Sequence, residues 1–217
     1  MPTVAFFDVD DTLWRGNSGY YTSLRLVRHG ILKKRRVLQA VYYKLADLFA
    51  RQDVHKIYKI AIADMAGMKL THALEIGTEC FEKDMKRRLH AEAVAKVQHH
   101  RQRGDRIILL TSGPYMTIHS LQAFLKTDDY YASGPKVVDG TLINDLKMPL
   151  SYGEGKLHYA REASQKYGVP LSTCYFYSND LTDLPLFENV GYPHVVNPKK
   201  ELRKIAEQKG WPILRFD

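Results

Sequence analysis

Four short clusters of polar residues in this chain have the types and spacings needed for phosphate chemistry. The first is Asp8-Val9-Asp10-Asp11-Thr12, directly after the apolar run Val4-Ala5-Phe6-Phe7. If the extended chain continues through Val9, its two-residue period points Asp8 and Asp10 the same way. Carboxylates so placed repel each other, and a divalent cation relieves the repulsion. Hard oxygen ligands with no nearby cysteine favour Mg²⁺ over zinc. The second cluster, Thr111-Ser112-Gly113, follows Arg106-Ile107-Ile108-Leu109-Leu110 and offers a hydroxyl and backbone amides to a phosphate at the start of a helix from Pro114. The third is Lys156, after Gly153-Glu154-Gly155 at a helix start, where an ammonium neutralises a phosphate oxygen and a nucleophile. The fourth, Asn179-Asp180-Leu181-Thr182-Asp183, adds oxygen ligands beyond Thr173-Cys174-Tyr175-Phe176-Tyr177. Taken singly, each is more often a turn, a helix cap or a solvated charge. Their order along the chain is what distinguishes them from chance.

The elements that must position these clusters are apolar strands alternating with helical patterns. Strands are expected at 4–7, 106–110, 173–177 and 193–196, and helices at 154–166 and 199–209, the latter closed by Gly210. This alternation predicts an α/β fold, a doubly wound, Rossmann-like parallel sheet with helices on both faces, whose carboxyl edge would gather all four clusters. The stretch from 19 to 95 breaks the rhythm, with helical periodicity and almost no strand signal. Val37, Leu38, Val41, Tyr42, Leu45, Leu48 and Phe49 share one helical face, and Leu74, Phe81 and Met85 suggest a later amphipathic helix. The expected organisation is a catalytic core of residues 1–18 and 96–217 with an inserted helical cap of residues 19–95. Residues 136–143 read as a hairpin turning at Asp139-Gly140.

In this order the clusters resemble the four motifs of the haloacid dehalogenase superfamily: DxDx(T/V), a strand-end Ser/Thr, a Lys and a terminal acidic pair. The nearest resemblance is to its phosphoserine phosphatase-like subfamily IB, carried further by residues 11–18, by 177–186 and by Asn197-Pro198 through Gly210-Trp211-Pro212. It implies that Asp8 is a nucleophile that becomes aspartyl-phosphate and that Asp10 is the general acid and base. It also implies that Thr111, Ser112, Gly113 and Lys156 hold the phosphoryl oxygens. Mg²⁺ would be bound by Asp8, the backbone carbonyl of Asp10 and an acid of the last motif. There the chain departs from the pattern, since Asn179 stands where the family has its first acid. Asn179, Asp180 or Asp183 then supplies the ligand, with Asp183 matching the second acid. Asp11 replaces a frequent Gly, and its side chain is expected to cap the following turn. Arg15 is a substrate-binding candidate, and Trp14 and Tyr20 either contact the leaving group or pack the hinge to the cap.

A 217-residue chain with 45% hydrophobic side chains can bury a core but not several domains. Its formal charge of +8 attracts anions without choosing among them. Two distant cysteines suggest neither a disulfide framework nor a zinc site, and the expected compartment is the reducing cytoplasm. No window approaches a membrane span, and no signal peptide is read. The basic run Lys33-Lys34-Arg35-Arg36, near Arg25, Arg28 and His29, reads as a solvated helix boundary or as a patch that steers anions, and no nucleic-acid partner is expected. His99 and His100 read as structural or surface residues. The expected partner is a small phosphorylated metabolite, and the expected activity is hydrolysis of its phosphomonoester. A phosphotransferase using the same Asp8, or a non-catalytic anion-binding protein on this fold, is the alternative.

Overall fold

The computed structural model describes residues 2–35, 38 and 54–217. Its centre is β1 (Val4–Phe7), four apolar residues with no solvent exposure. Alternate residues of a strand face opposite sides, so β1 feeds two cores. Ala5 and Phe7 join one cluster with Trp14, Val97 and Leu121, while Val4 and Phe6 join another with Leu157, Phe176 and Leu202. Strands buried on both faces in this way belong to parallel sheets.

Six parallel strands form the sheet, in the order β3 (Asp129–Ser133), β2 (Arg106–Pro114), β1, β6 (Tyr175–Ser178), β7 (Tyr192–Val196) and β8 (Ile213–Leu214). The doubly wound α/β expectation holds. The chain order reverses at β1, the place where such sheets open a crevice beyond their carboxyl ends. Helices α4 (Ala91–Gln102) and α5 (Tyr115–Leu125) bury Ala93, Val97, Ile118 and Leu121 against one face. On the other face α6 (Glu154–Tyr167) and α7 (Lys200–Lys209) bury Leu157, Ala160, Leu202 and Ala206. Gly168 and Gly210 close these two helices with positive φ, the left-handed cap that glycine adopts without penalty.

Several boundaries differ from the sequence expectation. β2 does not stop at Leu110 but runs through Thr111, Ser112 and Gly113 to Pro114, and α5 starts one residue later. β6 begins at Tyr175, because residues 171–173 close a 3₁₀ turn first. Edge strands β3 and β8 carried no readable strand pattern. The hairpin is present, with β4 (Pro135–Val138) paired antiparallel to β5 (Thr141–Leu146). Its turn residues Asp139 and Gly140 both have positive φ, as a type I′ turn requires.

The inserted segment leaves through α1 (Ser18–Arg28) and continues, within the described residues, through α2 (Val54–Ile62) and α3 (Leu70–Cys80). Among the described residues its apolar side chains share their core with other elements. Leu26, Ile62, Met65, Ala73 and Ile76 pack with Leu142 and Leu146 of the hairpin and with Met116 of α5. Phe81 and Met85, expected on one helix with Leu74, lie where α3 continues without a break into a five-residue π-helix, Phe81–Met85, and they pack into the sheet's core. Where the insert returns, Arg15 N–H donates to Arg88 O and His90 N–H to Leu13 O. Helix α4 crosses the expected 95/96 boundary unbroken. Of the residues proposed for one cap face, only Leu38 is described, and it is exposed; Val37, Val41, Tyr42, Leu45, Leu48 and Phe49 lie outside the described residues. Arg36 does too, while Lys33, Lys34 and Arg35 are exposed. Arg25, read as part of that basic patch, is buried and paired with Glu79 at 2.9 Å and Asp84 at 2.7 Å. His100 is structural: it is buried between Asp105 and the Tyr177 hydroxyl.

Helix α3 lies so close to α5 that a Cβ on Gly77 would sit 2.1 Å from the Met116 carbonyl oxygen. Gly77→Ala would favour an isolated helix by about 1 kcal/mol. Here we expect it to destabilise the protein by roughly 1–3 kcal/mol through overpacking, read as a lower urea midpoint.

Candidate active site

The chain turns sharply after β1. The amides of Thr12, Leu13 and Trp14 converge on the Val9 carbonyl, and Asp11 adopts φ 54°, held by Gly16 N–H donating to its Oδ1 at 3.0 Å. Asp11 therefore caps this turn, as expected. The regular strand ends at Phe7, just before Asp8 and Asp10. They are close enough that the charge of Asp8 raises the Asp10 carboxyl.

Asp8 sits on the carboxyl edge between β2 and β6, its N–H bonded to Tyr177 O at 2.9 Å. Thr12 Oγ1 donates to its Oδ2 at 3.0 Å, and Lys156 Nζ donates to its Oδ1 at 2.7 Å. The same ammonium donates to Asp183 Oδ2 at 2.7 Å. All three groups are buried, with 5%, 3% and 0% exposure for Asp8, Lys156 and Asp183. Lys156 reaches them from the first turn of α6, where a Cβ on Gly155 would lie 1.7 Å from Leu150 O. That contact seats the helix start against the loop before it. Ser178, the last residue of β6, donates to Asp183 Oδ2 at 2.5 Å. The second oxygen, Asp183 Oδ1, is buried with no hydrogen-bond partner among the described residues.

One ammonium cannot balance two carboxylates in this dry setting. Burial raises the Asp8 carboxyl, outweighing the pull of Lys156 and Thr12. Burial and the charge of Asp8 push Asp183 up to about 6 against the same lysine. Burial works to lower the Lys156 ammonium, but Asp183 and Asp8 together hold it above its usual value, and it stays charged. The cluster thus lacks positive charge.

Asp10 is held apart from that triad by four donors. Trp14 Nε1 and Ser18 N–H reach its Oδ1 at 3.0 and 2.9 Å, and Ser18 Oγ and Asn17 Nδ2 reach its Oδ2 at 3.0 and 3.2 Å. Burial and Asp8 nevertheless push this carboxyl up to about 6. A carboxyl poised there exchanges a proton near neutral pH.

Thr111, Ser112 and Gly113 are brought to the same edge by β2 but do not cap a helix. Thr111 Oγ1 accepts from Gly113 N–H at 3.0 Å, and Ser112 O accepts from the Tyr58 hydroxyl at 2.7 Å. A Cβ on Gly113 would lie 2.2 Å from Ser18 Oγ, so a side chain there would displace that hydroxyl. Asn179 faces the triad, accepting from Thr12 Oγ1 at 3.3 Å. Asp180 does not: its Oδ1 accepts from both the amide and the hydroxyl of Thr182, capping its own turn. Arg15 has an exposed side chain, and its backbone N–H donates to Arg88 O. Trp14 is fully buried and packs the hinge, while Tyr20 is exposed.

Sequence reasoning assigned no separate role to Thr12, Ser178, Ser18 or Tyr58. The first three are legible in hindsight as hydroxyls four, five and eight residues from the acid each bonds. Tyr58 has no such signal, because it comes from the inserted α2.

Among the described residues no three His, Cys, Asp or Glu side chains group as a metal cage. The donors that do converge are Asp8, the partnerless Asp183 Oδ1 and the Asn179 carbonyl oxygen. Two carboxylates with neutral oxygens and water suit a hard divalent cation, and the missing positive charge calls for one. The residues present fit Mg²⁺.

Residues 5–188 match the model of the haloacid dehalogenase-like hydrolase family. The chain belongs to this family. It is 30% identical over 217 residues to a probable phosphatase of Mycobacterium tuberculosis, covering 99% of this chain and 75% of that one. It is 26% identical over 220 residues to a phosphoserine phosphatase of the same organism, covering 100% and 71%. In fold it is similar to a Bordetella pertussis protein of unknown function, at TM-score 0.86, 24% identity and 99% coverage of both chains. This haloacid dehalogenase-like chain is an enzyme of the family's phosphatase type, and no described helix is long and apolar enough to cross a membrane.

Removing the ammonium while keeping its stem, Lys156→Met, leaves Asp8 and Asp183 buried without their counter-charge. The expected loss is roughly 3–5 kcal/mol, measurable by urea unfolding without added metal, and an unchanged midpoint would contradict the triad.

Proposed function

We propose that this chain is a Mg²⁺-dependent phosphatase that hydrolyses a small soluble phosphomonoester through a phospho-aspartate on Asp8. The observation that carries the reading is the buried triad of Asp8, Lys156 and Asp183 at the carboxyl edge, short of positive charge, with one Asp183 oxygen unpartnered. Asp8 and Asp183, with the Asn179 side-chain oxygen and the Asp10 backbone carbonyl, would hold the cation; Asp180, turned to its own loop, is the weaker candidate. When bound, Mg²⁺ supplies charge neutralisation for the phosphoryl oxygens and the nucleophile.

A carboxylate oxygen of Asp8 attacks phosphorus while the ester oxygen departs, so one P–O bond forms as another breaks. Asp10 gives its proton to the departing oxygen and later takes one from the water that cleaves the acyl phosphate. Ser18 Oγ, which donates to Asp10 Oδ2 at 3.0 Å, can rotate to accept when that oxygen carries the proton. Lys156 has three N–H donors, and two are used by Asp8 and Asp183. The third is left for a phosphoryl oxygen. Thr111 Oγ1, which accepts from Gly113 N–H and keeps its own proton to donate, completes the cradle beside it. The relatives named as phosphatases support this assignment, and the amino-acid phosphate in one of their names supports a metabolite-sized substrate. The buried free thiols Cys80 and Cys174 fit a reducing, cytoplasmic setting.

Phosphate release from a small aryl phosphate should require Mg²⁺, stop on chelation, and fall by on the order of 10³-fold or more in Asp8→Asn. Turnover that survives Asp8→Asn would remove the nucleophile from the scheme. A parallel screen of phosphorylated amino acids and alcohols identifies the ester.

A further inference from the structure

The Ser112–Gly113 peptide at the end of β2 is gripped at both ends. Its carbonyl accepts from the Tyr58 hydroxyl at 2.7 Å, and its N–H donates to Thr111 Oγ1 at 3.0 Å. Tyr58 belongs to α2 of the inserted segment, more than fifty residues away in sequence, and packs against the apolar cluster that the insert shares with the hairpin and Met116. Gly113 also lies close to Ser18, since a Cβ placed on it would come within 2.2 Å of Ser18 Oγ. Ser18 in turn gives Asp10 two of its four hydrogen bonds. A continuous line of contacts therefore runs from the insert, through one peptide of the phosphate-binding strand end, to the clamp on the proton-transferring acid.

We propose that Tyr58 is a positioning residue that orders the phosphate cradle only when the insert is seated: its hydroxyl locks the Ser112–Gly113 peptide and, through Ser18, the Asp10 carboxyl. The proposal rests on the phosphatase reading for its consequence, but the peptide lock itself does not. The hydroxyl is a dependable donor. Burial pushes its pKa up to about 12, so it keeps its proton throughout the working range, and the Ser133 hydroxyl lies beside it as a second polar neighbour. No charged group of the insert is needed. A neutral hydrogen bond to a backbone carbonyl transmits position and not charge.

The test uses the full-length protein and Tyr58→Phe, which keeps the ring and its packing. Three quantities are compared in Mg²⁺: the kinetic constants for p-nitrophenyl phosphate, the Kd of orthophosphate by titration calorimetry, and hydrogen exchange at the Gly113 amide. With the melting temperature within about 2 °C of the parent, KM and the orthophosphate Kd should each rise about fivefold, the equilibrium weight of one neutral hydrogen bond, and Gly113 should exchange faster. Unchanged KM and orthophosphate affinity would overturn the proposal, whether or not exchange quickens. A purely structural role would lower the melting temperature without this selective loss of phosphate affinity. If the parent binds orthophosphate but turns over nothing, the phosphatase reading fails while the affinity comparison still decides the role of Tyr58. If the parent neither turns over nor binds orthophosphate, both fall.

Discussion

Two carboxylates share one ammonium inside this protein, and most of the architecture follows from making that tolerable. Asp8, Lys156 and Asp183 come from the ends of β1, the start of α6 and the turn after β6, segments separated by up to 175 residues in the chain. Water would separate such charges at almost no cost. Burial removes that option, so each group must be brought to within hydrogen-bond distance by elements rigid enough to hold it there. The six-stranded parallel sheet supplies this rigidity, since β1 is paired on both sides and covered on both faces.

The cost of the arrangement is also its use. Carboxyls pushed upward by burial and by one another form a poor resting state without further positive charge, and on the proposed reading they receive a cation and an electrophilic phosphorus. Asp10, a few residues away, solves the opposite problem. Four donors fix its direction, while burial and Asp8 keep its proton affinity near neutrality. Two acids in one short loop thus acquire different duties from their surroundings alone, one balanced by a lysine and one wrapped in neutral donors.

The inserted segment is less a separate body than an extension of the crevice wall. Its apolar core is completed by the hairpin and by Met116 of the sheet's own α5, and Gly77 permits a backbone approach that a side chain would forbid. Residues that contact the strand end from this direction, Tyr58 among them, reach the site across a packed interface. Coupling between insert and cradle then requires no long pathway, only a shared peptide.

The acids, the lysine and their order were legible in the primary structure because each terminates or begins a strongly patterned element, and a parallel sheet puts all strand ends on one edge. The family resemblance drew on the same local signals, and the type I′ hairpin was written in Asp139-Gly140. Edge strands β3 and β8 were not legible, since β3 is bounded by polar residues, β8 is two residues long, and each pairs with one neighbour already in place. Which oxygen of the last motif turns inward was equally beyond the one-dimensional pattern. Asn179, Asp180 and Asp183 lie within five residues, and only the tertiary packing sends Asp180 to cap its own turn, Asn179 toward Thr12, and Asp183 under Lys156. Residue types and their spacing determined the chemistry available to this chain. Which groups meet, how dry the meeting place is and therefore how far their proton affinities shift was decided by the folded structure, because desolvation and Coulomb forces depend on distances that no local sequence pattern contains.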